Sequence, residues 1–184
     1  MMNPPGNASL LAASVQDGAM ATTEGRTVFK LPVGAQIHDL PCHPDDRGMV
    51  CELFDPRWKH LDHPFEFSYF WTLKPRVAKG WALHLDHCDR YCIVRGEMLA
   101  VLYDGRENSE TFGRVFEVFM SERRRRMLVI PPGVWHADLN LGEDEAIIVN
   151  FPTIQYNHAK PDKYRLPLHT DLIPYRIPPE LRGY

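Results

Sequence analysis

The stretch V-A-K-G-W-A-L-H-L-D-H-C-D-R-Y-C-I-V-R-G-E-M-L-A-V-L-Y-D-G, Val77 to Gly105, decides how the rest of the chain is read. It predicts a strand that carries His84, then a polar corner. Two apolar arms follow, Tyr91–Val94 and Met98–Tyr103, turning as a hairpin at Arg95-Gly96-Glu97. Val, Ile, Leu and Tyr suit a pleated surface, and a glycine between two such runs suits a tight reversal. A histidine at a strand end, followed by charged residues and then buried sheet, gives a dry floor with a charged rim.

Working outward, Val28–Val33 and Gln36–Leu40 are strand-like. Asp45-Asp46-Arg47-Gly48 reads as a turn before a strand at Met49–Phe54, and the aromatic-dense Phe65–Leu73 reads as a core strand. Val115–Met120, Met127–Ile130 and Glu145–Phe151 add three more strands. Four arginines, Arg123–Arg126, follow Ser121-Glu122 and read as a solvated turn that deters edge pairing. From Pro152 onward proline recurs, and an irregular wrap over the body is expected. Seven or eight short strands with turns every 8–12 residues predict an all-β sandwich or barrel.

The chain has 184 residues, 44% hydrophobic and 24% charged, enough for one domain with a sizeable core. We expect that domain at 27–184, behind a flexible tail at 1–26 that is small, polar and without the basic start of a secretory signal. A net charge of −3 argues against a general nucleic-acid binder. No apolar run approaches the roughly 20 residues of a membrane span, so a cytoplasmic protein is expected. Cys42, Cys51, Cys88 and Cys92 form no CxxC pair, and reduced thiols are the expectation.

Three constellations carry chemistry. His84 is a candidate general base, since imidazole titrates near neutrality; Asp86, Asp89, Asp171, Lys79 and Arg90 are available as its acidic partner and as cations for an enolate. His84, His87 and His136 with Asp89 are a candidate site for Zn, Fe, Mn or Ni. Plain strand alternation sends His84 and His87 to opposite faces, so that site requires a corner near Asp86. Cys88 beside His87 is a weak candidate nucleophile.

With these residues laid out, the chain resembles the cupins and, within them, the dTDP-4-dehydrorhamnose 3,5-epimerase group. Pro131, Gly133, His136 and Asn140 match the second cupin motif. Asp45-x-Arg47-Gly48-x-x-x-Glu52 is similar to the epimerases' nucleotide-binding opening, and Ser109–Arg114 to their serine-proline-threonine-phenylalanine-glycine-lysine loop. Leu83-His84 falls at their catalytic base. The resemblance spans roughly residues 40 to 160 and implies a cupin jelly-roll β-barrel, a homodimer that shares strands, and no metal or other cofactor. It implies epimerisation next to the C4 ketone of a nucleotide-linked sugar. By position His84 would be the base, with Lys79 or Arg90 steadying the enolate. Arg47 and Glu52 would contact the nucleotide, His136 would line the pocket, and Tyr156 would lie near the nucleotide or sugar.

The departures from the family pattern fall at the sugar end. Asn150 stands at the family's proton-donating tyrosine, Trp81 replaces an arginine, and Tyr69 and Trp71 replace glutamine and asparagine. Asp171 is the candidate acidic partner of the base. A metal-dependent cupin enzyme and a non-catalytic sugar-binding cupin are the alternatives.

Overall fold

The computed structural model describes residues 6–59, 61 and 63–183. Its elements run α1 (Asn7–Ala13), β1 (Gln36–Asp39), β2 (Cys42–Asp45), β3 (Gly48–Cys51), β4 (Tyr69–Leu73), β5 (Val77–Leu83) and β6 (Asp89–Arg95). They continue β7 (Glu97–Asp104), β8 (Val115–Ser121), β9 (Arg126–Ile130), β10 (Val134–Asn140), β11 (Ala146–Asn150), β12 (Tyr164–Arg165) and β13 (Arg182–Gly183). Two sheets form a sandwich. One has the order β1-β9-β6-β11-β4 and the other β12-β5-β10-β7-β8, with β13 also on β5; β2 and β3 pair as a separate hairpin. Every pairing is antiparallel except β13 on β5.

Three apolar layers explain why many strands read as near-continuous apolar runs. Tyr91, Ile93, Leu128 and Ile148 meet Met98, Leu102, Val118 and Met120 between the sheets. Trp81, Val101 and Leu139 form the outer face of the second sheet, covered by Leu168, Ile173, Ile177 and Leu181 of the proline-rich wrap. Cys92 and Met127, on the outer face of the first, lie under Leu40 and Phe151. Burying a side chain of Leu or Ile size contributes about 1.5–3 kcal/mol, so the wrap's four apolar side chains hold it to the sheet.

Several expectations are corrected. Arg95-Gly96-Glu97 is not a hairpin: β6 belongs to the first sheet and β7 to the second. One residue separates these strands, fewer than the two a tight hairpin loop needs. Gly96, at φ 76°, passes the chain between sheets where an added Cβ would lie 2.9 Å from the Glu145 carbonyl oxygen. Phe65–Leu73 pairs only from Tyr69 and forms an edge, with Phe70 69% exposed. Residues 27–33 form no strand, though Thr27 bridges Ala21.

The tail also differs from expectation. Ala and Leu are strong helix formers, and N-A-S-L-L-A-A coils as α1 with both leucines exposed, through propensity rather than packing. Residues 1–5 lie outside the described residues, so the tail expectation is not addressed there. The thiol expectation is corrected for one pair. Cys42 and Cys51 are directly opposed across β2 and β3 and form a disulfide; Cys88 and Cys92 are not disulfide-bonded. The arginine run is a turn whose members bind locally. Arg124 pairs with Asp39 at 2.9 Å, and Arg125 donates to the Glu122 and Val94 carbonyls.

Candidate active site

Plain alternation along β5 would put Lys79 and His84, five residues apart, on opposite faces. The register prevents this. His136 of β10 faces Ala82 while Asp138 faces Lys79, so three steps of β5 span two of β10. Such a bulge re-aims side chains. Trp81 turns outward and packs edge-on to Tyr175, whereas Lys79, Ala82 and His84 line one inner cavity of about 130 Å³. The Lys79 ammonium lies 4.9 Å from the Trp71 ring centre.

Beyond Leu83 the chain leaves the sheet, and two segments hold the corner. Gly133 N–H, in the Pro131–Asn140 motif, donates to the His84 carbonyl at 2.8 Å. The Asp162 carboxylate accepts from the N–H groups of Leu85 (2.9 Å) and Asp86 (2.8 Å) and pairs with His87 Nδ1 (2.9 Å). The Asp162 carbonyl accepts the Nδ1–H of His84. That bond fixes the tautomer and leaves Nε2 as the basic nitrogen. The corner also brings the His84 and His87 rings to 4.2 Å between centres, which removes the alternation objection.

Asp89 is the hub on the facing sheet. It is 1% exposed and accepts from Asn150 Nδ2 (2.7 Å) and Tyr91 OH (3.1 Å). His84 Nε2 stands 3.4 Å away and His136 Nε2 3.6 Å. Burial favours its neutral acid, but the His84 hydrogen bond and charge, the His136 charge and the Asn150 amide outweigh it. Its carboxyl is held well below the usual range. Burial likewise opposes charge on His84, yet the Asp89 carboxylate and the Asp162 carbonyl prevail and raise its pKa. His136 is pushed down to about 4 by burial and stays neutral at pH 7. On β10, Asp138 is pushed up to about 8 by burial and by Asp89, against Lys79 and Lys163.

An outer groove of about 240 Å³ adjoins this cavity, sharing Tyr69, His84 and Lys163 with it. Tyr156, Asn157 and Lys160 form its far wall. The site is thus two chambers meeting at the imidazole.

The structure brings together His84, Lys79, His136 and, in the groove, Tyr156. Asn150 is a buried strut: its amide donates to Asp89 and to Tyr69 OH (3.0 Å), and its oxygen accepts from Arg90 N. Arg90 corrects the expectation of a cation beside the base. It neighbours Asp89 on β6 and points to the other face, donating to the carbonyls of His63, Pro64, Phe151 and Pro152 over the Phe54 ring. Asp171 is paired with Arg176 in solvent, remote from the base. Arg47 and Glu52 stand on the exposed β2–β3 hairpin and line neither chamber. In the Ser109–Arg114 loop, Ser109 and Thr111 hydroxyls donate to buried Asp104 at 2.6 Å, so this motif closes the β7–β8 connection. Cys88 lines a separate small cavity beside Arg90.

Sequence reasoning missed Tyr91, Asp138, Asp162 and Lys163. Asp138 was within reach, since it follows His136 by two residues on one strand. Asp162 and Lys163 lie in a stretch without periodic pattern and carried no signal. Two overlapping sets place ligand-type atoms within 4.8 Å: His84, Asp89 and His136, and His84, His87 and Asp162. Both Asp89 oxygens already accept protein hydrogen bonds, His136 Nε2 lies 3.3 Å from Tyr91 OH, and Asp162 is spent on the corner.

The profile of the dTDP-4-dehydrorhamnose 3,5-epimerase family matches residues 32–167. A spore coat polysaccharide biosynthesis protein of Bacillus subtilis is 34% identical over 149 residues, 81% of this chain and 98% of its own. A probable low-salt glycan biosynthesis epimerase of Haloferax volcanii is 30% identical over 133 residues, covering 72% and 85%. Among solved structures, a dTDP sugar isomerase from Desulfovibrio desulfuricans superposes with a TM-score of 0.73 at 30% identity, over 78% of this chain and 90% of that one. The expected cupin-type sandwich is thereby confirmed. No helix among the described residues is long and apolar enough to cross a membrane.

Proposed function

The chain belongs to the dTDP-4-dehydrorhamnose 3,5-epimerase family, and on that footing we propose that it epimerises a nucleotide-linked 4-keto sugar through His84, without a metal. The observation that carries this reading is the placement of His84. Its Nδ1–H is held by the Asp162 carbonyl, and its ring stands between the two chambers beside buried Asp89.

The inner chamber takes the sugar ring and the outer groove takes the nucleotide. A C–H next to a ketone is acidic because the electron pair left behind spreads onto the ketone oxygen. His84 Nε2 accepts that proton, and the resulting imidazolium is stabilised by the Asp89 carboxylate. Lys79 and Lys163, on the chamber wall, face the enolate's negative charge. The Tyr91 hydroxyl and the Asn150 amide donate to Asp89 and hold it aligned.

Metal-free chemistry is favoured because both Asp89 oxygens and the Asp162 carboxylate already accept protein hydrogen bonds. A homodimer is part of the proposal. Exposed Met49 and Val50 flank Arg47 on the β2–β3 hairpin, and a second copy covering them would carry Arg47 and Glu52 toward a bound nucleotide.

Incubation with a dTDP-4-keto-6-deoxy sugar in deuterated water tests the reaction. Deuterium is expected beside the ketone with inversion of a centre, and His84→Ala should lower both at least about a thousandfold. Wild-type protein that exchanges no proton with any such sugar would defeat the reading. A stoichiometric transition metal in the purified protein would instead make the histidines and Asp89 a ligand set. A single-protomer mass in light scattering would remove the dimer.

A further inference from the structure

Asp138 is 5% exposed, lines the inner cavity, and has an Oδ1 with no hydrogen-bond partner. Buried carboxyl oxygens are normally paired. That oxygen is enclosed by protein, while the residue itself lines the chamber that takes the sugar ring. The β5 bulge sets Asp138 opposite Lys79, and the alternation of β10 puts it on the same face as His136. Charged and titratable groups reach it from three elements and its own strand: Lys79 on β5, Lys163 before β12, Asp89 on β6 and His136 on β10.

Resting on the epimerase reading, we propose that Asp138 is the acid that returns a proton to the sugar, on the face of the ring away from His84. In the forward step His84 Nε2 takes the proton and the C–H electron pair becomes an enolate. The enolate pair then forms a new C–H bond to the proton of Asp138, whose O–H breaks to leave a carboxylate. Imidazolium and carboxylate reset by proton exchange with water through the outer groove, so no oxidant or reductant is involved. Burial keeps the Asp138 carboxyl protonated at neutral pH, as the step requires. The competing donor is Tyr69, which lines the same chamber and whose OH accepts from Asn150.

The test separates exchange from inversion. In deuterated water with a dTDP-4-keto-6-deoxy sugar, Asp138→Asn should keep deuterium uptake within about threefold of wild type, because His84 removes and returns the proton by itself. Inverted product should fall at least about a hundredfold, within the range of general acid–base catalysis. Tyr69→Phe should lose less inversion than Asp138→Asn. Inversion at the wild-type rate in Asp138→Asn overturns the assignment. So does joint loss of exchange and inversion in a variant whose melting temperature is unchanged, and so does loss of inversion in Tyr69→Phe but not in Asp138→Asn. If Asn prevents folding, Asp138→Glu carries the same readout, with slowed inversion and preserved exchange expected. Absence of exchange in wild type is a separate result, and it removes the underlying epimerase reading together with this one.

Discussion

Two walls of one chamber hold buried aspartates in opposite electrical states. On β6, Asp89 gathers an amide, a phenol and two imidazoles and is held ionised. On β10, Asp138 has an oxygen without a partner and is pushed up to about 8. Both are buried, so burial does not separate them. The number of donors does: a carboxylate with hydrogen bonds replaces its lost water, and one without them keeps its proton instead. The contrast supplies a site that can take up charge on one side and give up a proton on the other.

The comparison breaks most forcefully at Asp89. Asp89→Ala leaves the Asn150 amide and the Tyr91 hydroxyl without their acceptor and His84 without its charge partner, and about 3–5 kcal/mol of stability should be lost in denaturant unfolding. A loss under about 1 kcal/mol would show that the donors do not hold the wall together.

Next comes Asp138, where the sign reverses. Its folded pKa is raised from 3.8 to about 8, so unfolded chains release its proton first, and stability falls as pH rises between those values. Asp138→Asn lacks this slope. Its melting temperature should therefore gain on wild type from pH 4 to pH 8 and run parallel above, with a gain on the order of 2–4 kcal/mol. A pH-independent difference would mean that Asp138 is ionised in the folded protein.

The β2–β3 hairpin is a control outside both walls. Cys42→Ser with Cys51→Ser should lower stability by about 2 kcal/mol through the freed unfolded chain, and leave exchange per protomer unchanged at saturating sugar nucleotide, where the protein stays folded and any weakened nucleotide contact is filled. Altered exchange at saturation would connect the hairpin to the two chambers rather than to the nucleotide alone.

The smallest effect is on the pH–rate profile. His84 is raised above 6.5, so the acid limb should lie above that value, since the base works only when neutral. Asp89→Asn removes the raising charge, and the limb should move down. A limb that does not move would separate Asp89 from the base.

Short-range pattern carried much of the fold and part of the site. Strands β8, β9 and β11 follow from local apolar runs, and the Pro131–Asn140 motif positions His136 and, through Gly133, the backbone of His84. What pattern missed depends on non-local pairing. Nothing near Gly96 says that β6 and β7 enter different sheets, and nothing near Asp162 says that its carbonyl meets a ring 78 residues away. The disulfide was legible but unread. Cys42 and Cys51 are equidistant from the Asp45–Gly48 turn, which is enough to oppose them on a hairpin. Arg90 was expected in the pocket by its position in the family pattern, which does not say which face of the strand a residue takes, and alternation along β6 turns it away from the face of Asp89.

The irregularity between Gly80 and Ala82 sets a reading frame for the whole strand. Deleting one residue there would spare the sandwich yet swing the Lys79 ammonium out of the chamber toward the proline-rich wrap, whose Leu168 already crowds Gly80. Catalysis in this chain is therefore vulnerable to a change of length at a point where identity is also constrained, since Gly80 has no room for a side chain and Trp81 is fully buried, and a shortened homologue would have to draw its cation from another strand.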